Sequence, residues 1–288
     1  MLLIIAALQK EAAPLISLFR LKKDMMICEF PVYLGQDAVL AVSGVGKLRA
    51  AIAATFLLSG NYCPAHEALL CNVGFCGSRS EKYPPGTICA VHKVTDADTK
   101  RDYYPDYPIS VNMGIPTASL LCVPQIVHLH ADPLVRNFPD AELFDMESSG
   151  IMEAGGRFLQ THQMLILKIV SDVLGFTTTD MLNLKLLDEY MHDGILQAEP
   201  ILRKANDDIS KSPGFVDDKE LRKWIQDVSA RLHLTVQMER RLYNAARKAL
   251  LSGIQPETLL SSFPEENPSE KKERTAALEQ FILSFGEK

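Results

Sequence analysis

The first part of the chain is dominated by short, largely apolar runs, separated by polar or glycine-rich breaks. Residues 1–8, 67–73, 87–94, 119–127, 141–144 and 164–170 are too short for a core helix and too continuous for a half-exposed strand. They predict strands buried on both faces of a sheet. Runs 27–34 and 38–42 flank Gly35-Gln36-Asp37 and predict an antiparallel hairpin. Elsewhere the period becomes helical. Leu15, Leu18 and Phe19 share one stripe of a helix from Glu11 to Arg20, with Pro14 in its tolerant first turn. Ser43-Gly44-Val45-Gly46-Lys47 leads into an alanine-rich helix over 48–58 that stops at Gly60, and a further helix spans 147–158. Strands alternating with helices around a hairpin predict an α/β fold with a mixed sheet flanked by helices.

Residues 179–210 predict helix, with Pro200 marking a kink or a break. Lys211-Ser212-Pro213-Gly214 predicts a boundary between a domain over 1–211 and a helical extension over 214–288. In the extension, Leu221, Trp224, Ile225, Val228 and Leu232 form one apolar stripe. Leu242, Ala246 and Leu250 form a second, and Leu278, Phe281, Ile282 and Phe285 a third. The prediction is a small three-helix unit.

Composition narrows the function classes. The chain has 288 residues, is 47% hydrophobic and 23% charged, and carries a net charge of −6. That balance disfavours a nucleic-acid or anionic-membrane surface. From Phe215 onward acidic and basic residues balance at 12 each, so the negative charge lies on the first part. Arg240, Arg241, Arg247 and Lys248 make one helix locally basic, which reads as a solvated face. No apolar run approaches the roughly 18 residues a membrane span needs, and the opening run lacks a basic leader. Six scattered cysteines (Cys28, Cys63, Cys71, Cys76, Cys89, Cys122) without a Cys-x-x-Cys pair predict a reducing cytoplasm, no disulfide framework and no zinc site. His128 and His130 share a strand face, but no further ligand cluster stands near them. No cofactor is expected.

Three carboxylates stand out by position. Glu11, Glu147 and Asp172 each come just past an apolar run, where an open α/β sheet gathers its ligand. Read singly, Glu11 is a first-turn dipole partner and Asp172 a helix cap. Read together, they are a candidate site in which Glu11 and Asp172 divide base and acid work and Glu147 holds a polyol. Ser43–Lys47 lacks the Gly-x-x-x-x-Gly-Lys spacing of a phosphate loop and reads instead as a tight strand-to-helix turn lining the pocket.

An ordered series of segments resembles the nucleoside phosphorylase/nucleosidase superfamily, closest to its 5′-methylthioadenosine/S-adenosylhomocysteine nucleosidase branch. The series runs through Ile4-Ile5-Ala6-Ala7-Leu8-Gln9-Lys10-Glu11, Ser43-Gly44-Val45-Gly46-Lys47 and Asn72-Val73-Gly74-Phe75-Cys76-Gly77. It continues through Pro85-Gly86-Thr87, Asp96-Ala97-Asp98, Asn137-Phe138-Pro139, Asp145-Met146-Glu147 and Val170-Ser171-Asp172. The resemblance implies a three-layer α/β/α sandwich around a mixed central sheet. It implies N-glycosidic bond hydrolysis of a purine nucleoside, most readily a 5′-modified adenosine. In that reading Asp172 protonates the base, Ser171 shares its proton and Glu11 activates water. Glu147 accepts from the ribose hydroxyls, Met146 packs on the sugar face, and Phe75 and Gly77 line the pocket. Lys168 stands where the family has an arginine near the water. A homodimer is implied as well; the C-terminal extension has no counterpart in the family and is open to three roles, a lid on the pocket, a dimer contact or a dock for a separate protein. Gln9-Lys10-Glu11 and Asn72 occupy the places of phosphorylase arginines, which favours water over phosphate as nucleophile; a phosphorylase is the alternative.

Two departures from the family pattern bear on function. Phe75 replaces a small hydroxyl residue beside the ligand, and the segment Cys122–His128 is shorter than the family's base loop and offers no aromatic ring to stack on adenine. Gln125, His128 or a tyrosine from Tyr103-Tyr104 could replace that contact. The same departures suit a nucleoside-binding module that has lost turnover.

Overall fold

The computed structural model describes residues 1–60, 62–63, 67–107, 114–127, 132–174, 184–210, 218–251, 258, 275–276 and 278–281. It divides into two compact units, Met1–Ser210 and Lys211–Lys288.

The first unit is built on β1 (Leu2–Ala6), β4 (Ala38–Val42), β5 (Leu69–Ser78) and β10 (Met164–Val173). β1 lies between β4 and β5 and runs parallel to both, and β5 runs parallel to β10. All five residues of β1 are buried, as a strand covered on both faces requires. Leu2, Ile4 and Ala6 pack on one side with Ala12 and Leu15 of α1 (Gln9–Leu18) and with Met191, Ile195, Ala198 and Ile201 of α5 (Leu184–Ser210). Leu3 and Ile5 pack on the other side with Ala50, Ala53, Ala54 and Leu57 of α2 (Lys47–Ser59) and with Ile151 and Met152 of α4 (Ser148–Gly155). Helices therefore pack on either side of β1.

Beyond these strands the sheet curls back on itself. β6 (Ile88–Asp96), β8 (Thr117–Cys122) and β9 (Leu143–Asp145) complete a ring in the order β5, β10, β6, β8, β9 and back to β5. The pairings β10–β6 and β5–β9 are antiparallel, whereas β6–β8 and β8–β9 are parallel. A closed ring leaves no free edge on this side. On the open side β3 (Val32–Leu34) pairs antiparallel with β4 and β2 (Lys22–Lys23) antiparallel with β3, and β7 (Asp102–Tyr103) pairs with β6. A short α3 (Pro133–Asn137) starts at Asp132, whose side chain accepts from Leu134 N at 2.8 Å.

Several elements differ from the sequence expectation. The first hairpin strand begins only at Val32, because Pro31 and the exposed residues before it offer no continuous ladder. The run 119–127 stops at Cys122; Val123 N turns to Asp145 O, and Pro124 has no N–H to continue. Helix α5 runs unbroken through Pro200, which lies on its exposed face. The strand expected over 67–73 continues through Gly74–Gly77 to Ser78 as β5.

α2 and α4 cross closely. A Cβ on Gly150 would overlap the Lys47 carbonyl oxygen, a backbone atom that cannot swing aside. Gly150→Ala gains about 1 kcal/mol of helix propensity. Overpacking against backbone costs about 1–3 kcal/mol, and the rigidity of the struck atom puts the cost at the upper end. Urea unfolding should show a lower midpoint with an unchanged slope.

In the second unit, α6 (Asp218–Leu232) and α7 (Val236–Leu251) pack with Leu278 and Phe281 around Leu221, Ile225, Val228, Leu242 and Ala246. All three sequence stripes contribute to this cluster. Ile282, Phe285 and the side chains of Leu250, Arg240, Arg247 and Lys248 lie outside what the structure describes. Among the described residues no helix is long and apolar enough to cross a membrane.

Candidate active site

The carboxyl ends of β1, β4, β5 and β10, together with the exit of β9, surround one cavity of about 240 Å³. This is where a sheet with parallel central strands offers its loop ends to a ligand. Glu11, Glu147 and Asp172 all line it, with Met146, Ser171, Phe75 and Gly77. Phe75 forms part of the wall and leaves the space open.

Glu11 sits in the first turn of α1 and is 4% exposed. Its Oε2 accepts from the N–H groups of Ala7 and Leu8, each at 2.8 Å, and its Oε1 accepts from Phe75 N at 2.8 Å. The carboxylate thus uses three of its roughly four acceptor directions, and one on Oε1 remains for a water or a ligand. Burial pushes its pKa above the ordinary 4.5, although the bond from Phe75, the Lys168 charge and the bonds from Leu8 and Ala7 oppose that rise. Gly74 makes this seat possible, because a Cβ there would stand 2.8 Å from Glu11 Oε1.

Asp172 and Ser171 share the cavity through an irregularity in β10. Val170 pairs with Cys76 and Asp172 with Gly77, so Ser171 is an extra residue. Neighbouring strand residues normally face opposite ways; a bulge re-aims one of them. Ser171 Oγ lies 3.0 Å from the Cys76 carbonyl oxygen and also hydrogen-bonds Asp172 Oδ1. One hydroxyl has one proton, and the carbonyl can only accept. When Ser171 donates to Cys76, the bond between Ser171 and Asp172 needs a proton on Asp172.

Glu147 precedes α4 and is 7% exposed. Its Oε1 accepts from Gly46 N at 2.9 Å, and its Oε2 from Met146 N at 3.3 Å. Burial, and then the negative charge of Asp145, raise its pKa above 4.5. The turn 43–47 therefore reaches the site through Val45 in the lining and through Gly46 N–H.

Lys168 is placed differently from the sequence expectation. It does not line the cavity. Its side chain is 1% exposed, with Nζ 2.7 Å from Asp145 Oδ2. Burial alone would lower its pKa, but Asp145 and Glu147 outweigh burial and hold it above the ordinary value. Asp145 Oδ2 also accepts from Ser148 N at 2.9 Å and from Ser148 Oγ at 2.5 Å. The sequence reading gave Asp145 no role; a carboxylate inside the apolar run of β9 was the available signal. Its compact ammonium is claimed here by a buried carboxylate.

Apart from Asp145, the remaining wall is mainly apolar, with Leu8, Val123, Ile126, Val127, Phe144 and Leu174. The suggested substitutes for a stacking ring are not in the described lining. Gln125 is exposed, and the Tyr103 hydroxyl donates to Glu153 at 2.9 Å. His128 and His130 lie outside the described residues. Among the described residues no group of three or more His, Cys, Asp or Glu is placed to hold a metal ion.

No sequence-family model and no curated protein sequence matches the chain. Solved structures do match in fold. A 5′-methylthioadenosine/S-adenosylhomocysteine nucleosidase from S. pneumoniae, with a transition-state inhibitor, superposes with a TM-score of 0.58 at 16% identity, covering 70% of this chain and 98% of that one. The Arabidopsis thaliana 5′-methylthioadenosine nucleosidase gives 0.59 at 17% identity, over 71% and 95% of the two chains. The Colwellia psychrerythraea nucleosidase in complex with adenine gives 0.56 at 18%, over 71% and 93%. The chain thus has an α/β fold similar to that of these nucleosidases.

Proposed function

We propose that the first unit hydrolyses the N-glycosidic bond of a purine nucleoside, most readily a 5′-modified adenosine of the methylthioadenosine or S-adenosylhomocysteine type. The observation that carries this reading is the convergence of Glu11, Glu147 and Asp172 on one cavity. Breaking the bond builds positive charge on the ribose and negative charge on the departing base. Asp172 protonates the base, and its hydrogen bond with Ser171 gives that proton a place to be held. Glu11 takes a proton from water through its remaining acceptor position. Each transfer contributes about 10²–10⁴ in rate. Glu147 accepts from the ribose hydroxyls, and Met146 packs on the sugar. The described lining presents carboxylates where a phosphate would need cations, which supports water as the nucleophile. The layered α/β/α architecture of the nucleosidases belongs to the same reading, as does the division into a nucleosidase-like domain over 1–211 and a separate helical unit.

We also propose a cytoplasmic homodimer. Leu48 and Ile52, one turn apart on α2 and next to Val45 of the lining, are 77% and 60% exposed and offer an apolar contact beside the cavity mouth. Adenine selectivity and a protein partner for the second unit are further parts of the proposal.

The test is release of free base from a panel of nucleosides with and without phosphate. Release independent of phosphate supports hydrolysis. Dependence on phosphate would make the chain a phosphorylase. Binding without release would make it a nucleoside-binding module, the reading favoured by Phe75 and the apolar base wall. Glu11 must be ionised to act as base, so activity is lost as pH falls through its pKa. Because burial raises that pKa, the acid limb of kcat/KM should lie above 4.5 and vanish in the residual activity of Glu11→Gln. The same shift works against stability: a carboxyl with a raised folded-state pKa contributes stability at low pH that is lost as pH rises through that value.

A further inference from the structure

Asp96, at the end of β6, is 3% exposed and does not line the cavity. Its Oδ1 accepts from Asp98 N at 3.1 Å, Thr99 N at 2.8 Å and Thr99 Oγ1 at 3.0 Å. Its Oδ2 accepts from Lys47 Nζ at 2.9 Å and Ser149 Oγ at 2.6 Å. These donors saturate the roughly four acceptor directions of a carboxylate, so Asp96 has no capacity left for a ligand. What it joins gives it a different task. Lys47 directly follows Gly46, whose N–H holds Glu147 Oε1. Ser149 stands two residues after Glu147. Asp96 therefore grips the neighbour of the donor and the neighbour of the acceptor in the one hydrogen bond that anchors Glu147 to the 43–47 turn.

We propose that Asp96 is a positioning residue that holds Glu147 in register with a ribose by clamping the N-terminal ends of α2 and α4 together. The consequence for ribose rests on the reading of Glu147 given above; the clamp itself does not. Burial alone would favour the neutral acid, but the bonds from Ser149, Lys47 and Thr99 outweigh it and hold the pKa of Asp96 well below the carboxylate range. The grip thus persists at any working pH. Lys47 is held a second time by Asp98, at 2.5 Å.

Asp96→Asn keeps the size of the side chain but turns one acceptor into a donor, facing either the Lys47 ammonium or the turn N–H groups. Two readouts separate the clamp from its functional consequence. Amide hydrogen exchange at Gly46 needs no ligand. It should accelerate by about tenfold or more, the equivalent of losing one hydrogen bond to a charged acceptor, while the middle of α2 keeps its protection. Calorimetry with 5′-methylthioadenosine and its 2′,3′-dideoxy counterpart should show the preference for the riboside falling by about tenfold or more, as in Glu147→Gln. Unchanged Gly46 exchange, or equal loss of affinity for both nucleosides, overturns the proposal. Faster Gly46 exchange in a protein whose wild type does not prefer the riboside keeps the clamp and removes the ribose role of Glu147. If Asp96→Asn fails to fold, Ser149→Ala, which deletes one of the two gripping donors, is read by the same measurements and the same criteria.

Discussion

Asp172→Asn is expected to slow base release by about 10²- to 10⁴-fold and to leave nucleoside affinity nearly unchanged. Asparagine has the same shape and still reaches Ser171, so the site should keep its form. What it lacks is a proton to give. The wild-type pair has one hydroxyl proton for two acceptors, the Cys76 carbonyl and Asp172 Oδ1, and a second proton on Asp172 completes the arrangement without conflict. In the proposed mechanism, that is the proton the departing base receives. The defect should therefore depend on the leaving group. A riboside with an activated phenolate, which departs without protonation, should lose far less in the variant than a purine nucleoside. Equal losses for both substrates would show that Asp172 acts by shape or charge rather than as an acid.

The second large effect falls on stability. Lys168→Met should cost about 3–5 kcal/mol, the range for removing one partner of a buried ion pair. Lys168 and Asp145 have side chains 1% and 0% exposed, and their contact is 2.7 Å. Without the ammonium, Asp145 Oδ2 keeps the two bonds from Ser148, while Oδ1 has no hydrogen-bond partner among the described residues. An uncompensated buried carboxylate takes up a proton more readily, so the destabilisation should be smaller in acid than at neutral pH. Replacing Asp145 by leucine in the same chain should recover most of the loss, since a buried pair exchanged for apolar groups is often neutral. Denaturant unfolding of both variants at two pH values checks this. A single variant as stable as wild type would mean that the pair is hydrated and not buried.

Much of this architecture can be read from residues alone, because apolar runs at 1–8, 67–73 and 164–170 have few ways to be buried except as central strands. Glu11 and Glu147 are legible for the same reason: once the strands are placed, their exits are placed too. What is not legible depends on pairing between distant segments. The extension of β5 through Gly77 and of β10 through Asp172 follows from their mutual register, and no local pattern encodes it. The extra residue that brings Ser171 and Asp172 to one side is a property of two strands, not of either. Ring closure through β9 depends on only two residue pairs with β5. Lys168 is a site residue only by the family resemblance, and in the structure its charge is claimed by Asp145 from β9. The start of α3 was within reach, since Asp132-Pro133 is an N-cap followed by a proline suited to a first turn; the short helix behind it has too few residues to show a period.

The central claim is that water, activated at Glu11, attacks the sugar while Asp172 releases the base. It is tested most directly by running the reaction on 5′-methylthioadenosine, without phosphate, in water enriched in the heavy oxygen isotope. The account predicts free adenine and a sugar carrying one heavy oxygen at its anomeric carbon. An unreacted nucleoside, or a sugar product that forms only when phosphate is added and carries that phosphate at the anomeric carbon, would contradict it.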